Sequence, residues 1–410
     1  MTETTKYPLP IFDTLKKLDK QTRFDHLCAA YFQQDLQMAR SFLLLYRGSQ
    51  GTFNSYRREI ERLIHWCALV VQKPLSTLSR HDIENYIDFC RNPPTLWIGV
   101  TKPARFSWQD GIRYPNRNWR PFVATVSKAH HQQGIKPTVK DFELNPSSVR
   151  EIFAILGSFF QFLIQEEYAL SNPIALIRQK SKFIRKSQSV GKIRRLSERQ
   201  WQYVIETTKQ RADDFGGTHE RSLFILSALY GMYLRISELA ESERWQPTMN
   251  DFYRDSQENW WFTTVGKGNK EREIAVSDAM LSALRRWRQH LNLTPLPTPG
   301  DSSPLLPKTK GKGAIKSINF IRQIVQQCFD SASDKLLVDG FEEEANALTE
   351  ATVHWLRHTG ISDDVKIRPR EHVRDDAGHS SSAITDHYID IERHERHRSA
   401  QVKVIHEKEK

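Results

Sequence analysis

The basic segment 181–195, which separates a first half with two regions of helical apolar periodicity from a second half, most constrains how this 410-residue chain can fold. In residues 52–71 and 147–167, apolar side chains recur three or four positions apart, which places them on one face of a helix. The separating segment, SKFIRKSQSVGKIRR, has few large apolar side chains and six positive ones, the composition of a linker. Because the length also exceeds that of a usual single domain, we expect two domains joined by this linker.

The first half is predicted to be an N-terminal arm (1–37) followed by a helical domain (38–180). The face opposite the apolar positions of 52–71 carries Arg57, Arg58, Glu61 and Arg62. The domain is interrupted at about 92–146 by a basic insertion with seven prolines and tryptophans that we expect to be exposed. The predicted helices are Phe24–Met38, Thr52–Val71, Ser79–Cys90 with Ser79 and Asp82 as caps, Ser147–Glu167, and a short one after Pro173.

The second half is predicted to be an α+β domain (196–391) with a charged tail (392–410). Alternating residues in Trp260–Val265 and Glu271–Val276 flank Gly-Lys-Gly-Asn, which is typical of a β-hairpin. The fold class is therefore mainly α with a small β-hairpin or sheet. The predicted helical segments begin at Ser197 and include Ser222–Tyr230, Leu234–Ala240, Ile315–Phe329, a stretch around His354, and Ser380–Ile391.

Charge favours a polyanionic partner. The chain has 60 Lys and Arg against 49 Asp and Glu, a formal net charge of +11, which suits nucleic acid because each neutralised phosphate releases counterions. No apolar run approaches the roughly 20 residues of a membrane span, and the N-terminus lacks a secretory pattern. Four dispersed cysteines are expected to be reduced and mostly buried, so we expect a cytoplasmic protein with no membrane partner: Cys28, Cys67, Cys90 and Cys328.

Five short motifs in the second half occur in a fixed order. They are Leu-Arg-Ile-Ser-Glu-Leu at 234–239, Gly-Lys-Gly-Asn-Lys-Glu-Arg at 266–272, His-Trp-Leu-Arg-His at 354–358, Gly-His-Ser-Ser at 378–381, and Tyr388. The tyrosine follows His379 by nine residues. Each motif alone is weak, but together they resemble the tyrosine recombinase (phage integrase) family. The resemblance covers 196–391 by motif and 52–175 more loosely, so 38–180 is expected to be the core-binding domain and 196–391 the catalytic domain.

The chemistry of the residues agrees with this resemblance. A tyrosine phenol can form a covalent phosphoryl intermediate, and two permanently charged guanidiniums can bind the phosphate through paired donors. Tyr388 is therefore the expected nucleophile, with Arg235 and Arg357 on the phosphate. Lys267 is the expected general acid, with Lys270 as the alternative. The expected remaining catalytic residues are His354 for proton movement and His379 as a hydrogen-bond donor, while Glu238 is expected to orient the first arginine motif.

The resemblance also implies partners. We expect a double-stranded DNA recombination or attachment site, a homo-tetramer on DNA, a possible accessory directionality factor, and no metal, ATP or other cofactor. The insertion at 92–146 is expected to widen the DNA contact or read accessory sequence. Met232 and Tyr233 replace the small Thr-Gly pair common in the family. The DNA-binding residues predicted from charge are Arg57, Arg58, Lys182, Arg185 and Lys186.

Three functions stay open at this point. The leading hypothesis is integration or excision of a mobile element in the bacterial cytoplasm, in association with the nucleoid. A type IB topoisomerase uses a similar residue set but relaxes DNA with little site preference. A catalytically silent DNA-binding regulator is the third. A zinc site at His354 and His358 is disfavoured because Trp355 occupies the position at which a metalloprotease helix carries its glutamate.

Overall fold

The chain forms two compact units, residues 1–190 and 191–410, so the division falls inside the predicted linker. This computed structural model describes residues 7–18, 30–109, 112–180, 194–266, 270–379 and 400–401. Both units are mainly helical with small sheets; the sequence predicts the sheet of the second unit but not those of the first. The predicted linker cations Lys182, Arg185 and Lys186 lie outside the described residues, as do Lys267 and Tyr388.

Unit 1 is a helical unit whose predicted helices are confirmed where the structure describes them. Ser79 caps the fourth helix in a capping box with Asp82, as expected. The second helix continues past the predicted Met38, while residues 19–29 lie outside the described part. The helices are α1 (Leu15–Leu18), α2 (Ala30–Leu44), α3 (Gln50–Trp66), α4 (Arg80–Arg91), α5 (Lys128–Gln132), α6 (Pro146–Gln165) and α7 (Pro173–Lys180).

Helix α6 is the centre of the unit 1 core. Nine of its residues are buried, among them Phe159 and Phe160, because its apolar side chains cover more than one face. The ring of Phe42 in α2 lies 5.1 Å from that of Phe159. By length and composition α6 could cross a membrane, so the expectation that no run is long enough was wrong; half of the qualifying window is buried in the unit.

Charged side chains of α3 bind other segments of unit 1, although the side chain of Arg58 remains 43% exposed. Glu61 is only 1% exposed because the backbone amides of Ile11 and Phe12 donate hydrogen bonds to its carboxylate. Arg105 pairs with the same carboxylate, and the charge of Arg105 holds the pKa of Glu61 below its usual value although burial opposes this. Arg62 donates to the carbonyl of Pro121 at 2.7 and 2.9 Å. Residues of the N-terminal arm and of the insertion therefore belong to the packed unit.

The insertion at 92–146 contains four short strands that the sequence did not predict. Strands β1 (Ile98–Gly99) and β4 (Phe122–Val123) pair in parallel. Strands β2 (Phe106–Gln109) and β3 (Ile112–Pro115) form an antiparallel hairpin. Among the tryptophans expected to be exposed, Trp108 is 61% exposed, whereas Trp97 and Trp119 are buried against apolar and aromatic neighbours, which corrects the expectation for these two.

Unit 2 combines helices with a three-stranded antiparallel sheet. The predicted hairpin is confirmed as β6 (Trp260–Val265) and β7 (Glu271–Ala275), and a third strand, β5 (Phe252–Arg254), pairs with β6. Ser197 caps the first helix as predicted. The helices are α8 (Glu198–Phe215), α9 (Thr218–Gly231), α10 (Asp278–His290), α11 (Ile318–Val338), α12 (Glu342–Thr349), α13 (Val353–Asp364) and α14 (Arg370–Ala377).

The predicted helix at Leu234–Ala240 is instead a single 3₁₀ turn, Ile236–Glu238. Tyr233 has a left-handed backbone with φ of 49°, and Arg235 is extended, so helix α9 cannot continue through them. This correction places Arg235 at the start of a turn rather than on the side of a helix. The other predicted segment, Ser380–Ile391, lies outside the described residues.

Three of the four cysteines are described, and all three are buried free thiols, as expected: Cys67, Cys90 and Cys328.

Candidate active site

Arg235 begins the 3₁₀ turn, and Glu238 of the same turn holds it. The Arg235 Nη1 donates to Glu238 Oε1 at 3.0 Å, and its backbone amide donates to Oε2 at 2.8 Å. The Arg235 side chain is 30% exposed, whereas Glu238 is buried. The glutamate therefore orients the arginine, as the sequence predicts, while part of the guanidinium stays accessible to solvent.

Arg272 in β7 shares the carboxylate of Glu238. Its Nη1 and Nη2 donate to the two carboxylate oxygens at 2.8 Å each, and its Nε donates to the carbonyl of Asp376 at 2.9 Å. Burial alone would raise the pKa of Glu238, but hydrogen bonds and charge from Arg272, then from Arg235, hold that pKa below its usual value. One ionised carboxylate thus fixes two guanidiniums from separate elements.

Arg357 in α13 is 2% exposed and is held by backbone carbonyls on both sides. Its Nη1 donates to the carbonyl of Tyr233, and its Nη2 donates to that of Ala377 at 2.6 Å. The same Nη2 lies 3.3 Å from Nε2 of His379. Since a guanidinium only donates, this Nε2 accepts, and the neutral ring carries its proton on Nδ1.

The two predicted catalytic histidines lie in the electrostatic field of both arginines. Desolvation, followed by the charges of Arg357, Arg235 and Arg272, lowers the pKa of His379 to about 4. Desolvation and the charges of Arg357 and Arg235 also lower the pKa of His354. His354 is exposed, and its ring centroid lies 4.2 Å from that of His358. The lowered pKa values favour the uncharged form of both catalytic candidates.

The base of the β6–β7 hairpin lies against the arginine cluster. A Cβ atom built on Gly266 would lie 3.1 Å from Arg272 Nη1 and 3.3 Å from Arg235 Nη1. The amide of Gly266 donates to the carbonyl of Lys270 at 2.8 Å. Gly266 precedes Lys267 in the sequence, so the described part of the hairpin reaches the site predicted for that lysine.

A polar network behind the site connects both arginine motifs. The hydroxyl of Tyr233 donates to Asp364 and accepts from Arg368 at 2.9 Å. Arg368 also donates to Asp376 at 2.6 Å, and the backbone carbonyl of Asp376 accepts from Arg272. Tyr233 is 1% exposed, so its ring replaces the small residue common in the family by filling a closed space. The network holds in place the backbone carbonyls that accept hydrogen bonds from Arg357 and Arg272.

The structure brings together four of the six predicted catalytic residues: Arg235, His354, Arg357 and His379. Sequence reasoning missed Arg272 and Tyr233 as positioning residues. Their signal was present, since Arg272 ends the hairpin motif and Tyr233 departs from the family pattern, but neither position alone indicates a partner. No cluster of three or more His, Cys, Asp or Glu that could hold a metal occurs within the part of the chain that the structure describes.

The two described residues of the predicted DNA-binding set make contacts inside unit 1. Arg57 donates to the carbonyl of Asp13 at 2.7 Å, and burial with the nearby charge of Arg105 lowers the pKa of Arg57 to about 10. Arg58 pairs with Glu59 and, at 3.0 Å, with Glu151, and its side chain is 43% exposed. A DNA-binding role for Arg57 and Arg58 stays a prediction.

No protein-family model matches the chain, but curated relatives do. Tyrosine recombinase XerC of Chlorobaculum parvum is 23% identical over 266 residues, which cover 61% of this chain and 71% of that protein. XerC of Haemophilus ducreyi is 23% identical over 285 residues, which cover 67% of this chain and 77% of that protein. A crystal structure of the XerH site-specific recombinase in a post-cleavage complex with palindromic difH matches with a TM-score of 0.53 at 12% identity, covering 95% of this chain and 93% of that one.

Arg235 and Arg357 lie near two imidazoles of lowered pKa, with the base of the β6–β7 hairpin at their edge, an arrangement that suits a phosphate group. The structural match shows that the chain shares the fold of the XerH recombinase. The curated relatives of this chain are named as tyrosine recombinases.

Proposed function

We propose that this protein is a site-specific recombinase that cleaves and rejoins DNA through a 3′-phosphotyrosyl intermediate, with Tyr388 as the nucleophile. The observation that carries the proposal is the cluster in which Arg235 and Arg357 act on the same two histidines. Such a cluster suits a phosphodiester, because guanidinium forks neutralise the charge on the non-bridging oxygens in the transition state. Relatives at 23% identity named as tyrosine recombinases support the same activity.

The proposed reaction conserves the energy of the phosphodiester bond. The phenolic oxygen of Tyr388 attacks the scissile phosphorus and loses its proton, and the bond from phosphorus to the 5′ oxygen breaks. Lys267 donates a proton to the leaving 5′ oxygen, with Lys270 as the alternative donor. His354 assists movement of the phenolic proton. His379 donates a hydrogen bond from Nδ1 to a phosphoryl oxygen. The free 5′ hydroxyl of a partner strand then attacks the phosphotyrosine, so neither water nor ATP is consumed.

We propose integration or excision of a mobile element as the biological role, carried out by four copies on two DNA sites in the bacterial cytoplasm. The similar XerC proteins come from bacteria, and the structure of XerH contains its difH DNA substrate. Arg57, Arg58 and the linker cations Lys182, Arg185 and Lys186 are proposed to contact the phosphate backbone. An accessory factor that sets direction is part of this proposal.

A nicked suicide duplex tests the chemistry, because loss of the short 5′-hydroxyl fragment traps the covalent adduct. The probe is DNA flanking the gene of this protein, with the binding site located first by footprinting. We expect the natural protein to form an adduct and Tyr388→Phe to bind with unchanged affinity but to form none. Arg235→Ala should also bind, with adduct formation slower by about 10²-fold or more.

The same experiment separates the alternatives. An adduct that still forms in Tyr388→Phe would show that the nucleophile is another residue. A natural protein that binds the duplex but never forms an adduct would be the silent regulator. Relaxation of supercoiled DNA at scattered sites would indicate the topoisomerase, whereas adducts confined to one site support the recombinase.

A further inference from the structure

The hairpin of β2 and β3 in the insertion has exposed side chains on both faces. Ser107 pairs with Tyr114 and Gln109 with Ile112 on one face, while Trp108 pairs with Arg113 on the other. Ile112 is 56% exposed and Tyr114 44%, and Trp108 is 61% exposed. A large aromatic ring and two apolar side chains open to solvent on one short ribbon are more than scattered surface residues explain.

This ribbon is fixed to the rest of unit 1. Arg113 donates to both carboxylate oxygens of Asp13 at 2.6 Å each, a two-pronged pair that sets the orientation of β3. At the end of the ribbon away from its turn, Phe106 is buried. The exposed residues are therefore presented by an anchored element.

The segment that carries the ribbon is basic. Residues 98–136 contain seven Lys and Arg and a single acidic residue, Asp110, and of the seven cations Arg105 and Arg113 pair with Glu61 and Asp13 of other segments. Lys102 and Arg117, which flank the hairpin in sequence, are exposed. The Lys17 ammonium lies 4.2 Å from the centre of the Trp108 ring, so cations also accompany the aromatic face. A polyanion complements this surface, whereas an uncharged protein partner would leave its charge unmatched.

We propose that the β2–β3 ribbon is a second DNA-contacting element, which touches duplex DNA outside the scissile phosphate. The major groove of B-DNA is about 12 Å wide and admits a two-stranded β-ribbon. On the exposed face, the Gln109 amide can pair with an adenine edge and the Ile112 side chain can contact a thymine methyl group. Lys102 and Arg117 then reach the flanking phosphates. This inference rests on the proposed function, since it requires a DNA substrate.

Opposite charge changes at one exposed position test the contact. Full-length Ile112→Lys and Ile112→Asp are compared with the natural protein for binding to a fluorescein-labelled duplex of random sequence, by anisotropy over a salt series. If the ribbon approaches phosphates, the lysine should tighten binding and the aspartate weaken it, each by several-fold to about tenfold. The slope of log K against log salt should steepen by about 0.9 for the lysine.

Val338→Asp is the matched control, because Val338 is 81% exposed and lies beside the acidic residues at the start of α12. It should leave DNA affinity unchanged. If DNA affinity falls in both Ile112 variants, as a general folding defect would cause, that result would overturn the proposed contact.

The remaining outcomes are distinct. If the natural protein binds and both Ile112 variants bind equally well, the ribbon proposal fails while the recombinase proposal stands. If the natural protein does not bind any duplex, both proposals fail. If Ile112→Asp no longer binds a protein partner but keeps its DNA affinity, the ribbon would be a binding surface for that partner. This result would also overturn the proposal.

Discussion

A single buried carboxylate positions the accessible arginine of the site. Glu238 binds both Arg235 and Arg272, and its own pKa is held low by them, so it remains ionised at working pH. Glu238→Gln keeps the shape but removes the charge that aligns both guanidiniums. We expect adduct formation on the suicide duplex to fall by about tenfold to 10²-fold, with DNA affinity changed little, because a charged hydrogen bond is lost on each arginine.

Glu258→Gln is the control for this substitution, since the Glu258 side chain is 80% exposed and pairs only with Arg254 in the part of unit 2 that is described. It should leave adduct formation unchanged. A parallel loss of DNA affinity and thermal stability in Glu238→Gln, with an unchanged reaction rate for the bound fraction, would contradict the positioning role.

At the residue scale, sequence reasoning could identify groups with a chemical role but not the groups that position them. Arg235, Arg357, His354 and His379 stand in motifs whose residue types fit phosphoryl transfer, and the structure brings them together. The bond of Arg357 to the carbonyl of Tyr233 could not be read from sequence, because it depends on a left-handed backbone at a non-glycine residue.

At the scale of elements, the close contact between α13 and α9 depends on Gly360. A Cβ on this residue would overlap the carbonyl oxygen of Tyr230, so α13 approaches α9 more closely than any side chain allows. Gly360→Ala should lower the free energy of unfolding by about 3 kcal/mol, measured by denaturant titration, because the helices must move apart. It should also weaken adduct formation, since α13 carries His354 and Arg357.

Gly157 offers the matched control, because it too lies inside a helix, α6. A Cβ there would meet Ile174 Cγ2 at 3.6 Å, an ordinary contact. Gly157→Ala should leave stability unchanged or raise it by about 0.5–1 kcal/mol, since alanine restricts the unfolded chain and favours helix. Equal losses in the two variants would rule out the close approach as the cause.

Helix α2 carries a buried acid that makes unit 1 sensitive to pH. Asp35 is fully buried, and desolvation raises its pKa to about 6 although Tyr168 and the amide of Leu75 donate hydrogen bonds to it. The folded state therefore holds this proton more tightly than the unfolded chain. Protonation of Asp35 therefore contributes fully to the free energy of unfolding below pH 4, and this contribution is lost as pH rises through about 6.

Asp35→Asn should remove that dependence, so melting temperatures at pH 5 and pH 7.5 should differ less in the variant than in the natural protein. The same substitution at the exposed Asp88 should leave the difference as it was. An undiminished difference in Asp35→Asn would mean that another group is responsible.

Element prediction succeeded where apolar spacing was long and regular, as in α3, α6 and β6–β7. It failed at Leu234–Ala240, where a left-handed Tyr233 overrides apolar periodicity, and in the insertion, where four strands are only two to four residues long. Strands this short leave too few positions for alternation to be recognised.

At the scale of the whole molecule, each unit has its own hydrophobic core. Phe159 is fully buried in the core of unit 1 and Phe262 in that of unit 2. Calorimetry should therefore resolve two unfolding transitions. Phe159→Ala should lower the temperature of one and Phe262→Ala that of the other, because each substitution reduces the free energy of unfolding of its unit by about 3–5 kcal/mol. A single transition lowered equally by both substitutions would indicate that the units unfold together.

The carboxylate that Arg235 and Arg272 share has a consequence for the protein without its substrate. Two fixed cations are matched by one anion there, so like charges repel one another while the enzyme is idle. An incoming phosphodiester, bound as proposed, relieves this repulsion. The substrate then completes the electrostatic balance of its own binding site, and DNA should make unit 2 more resistant to unfolding.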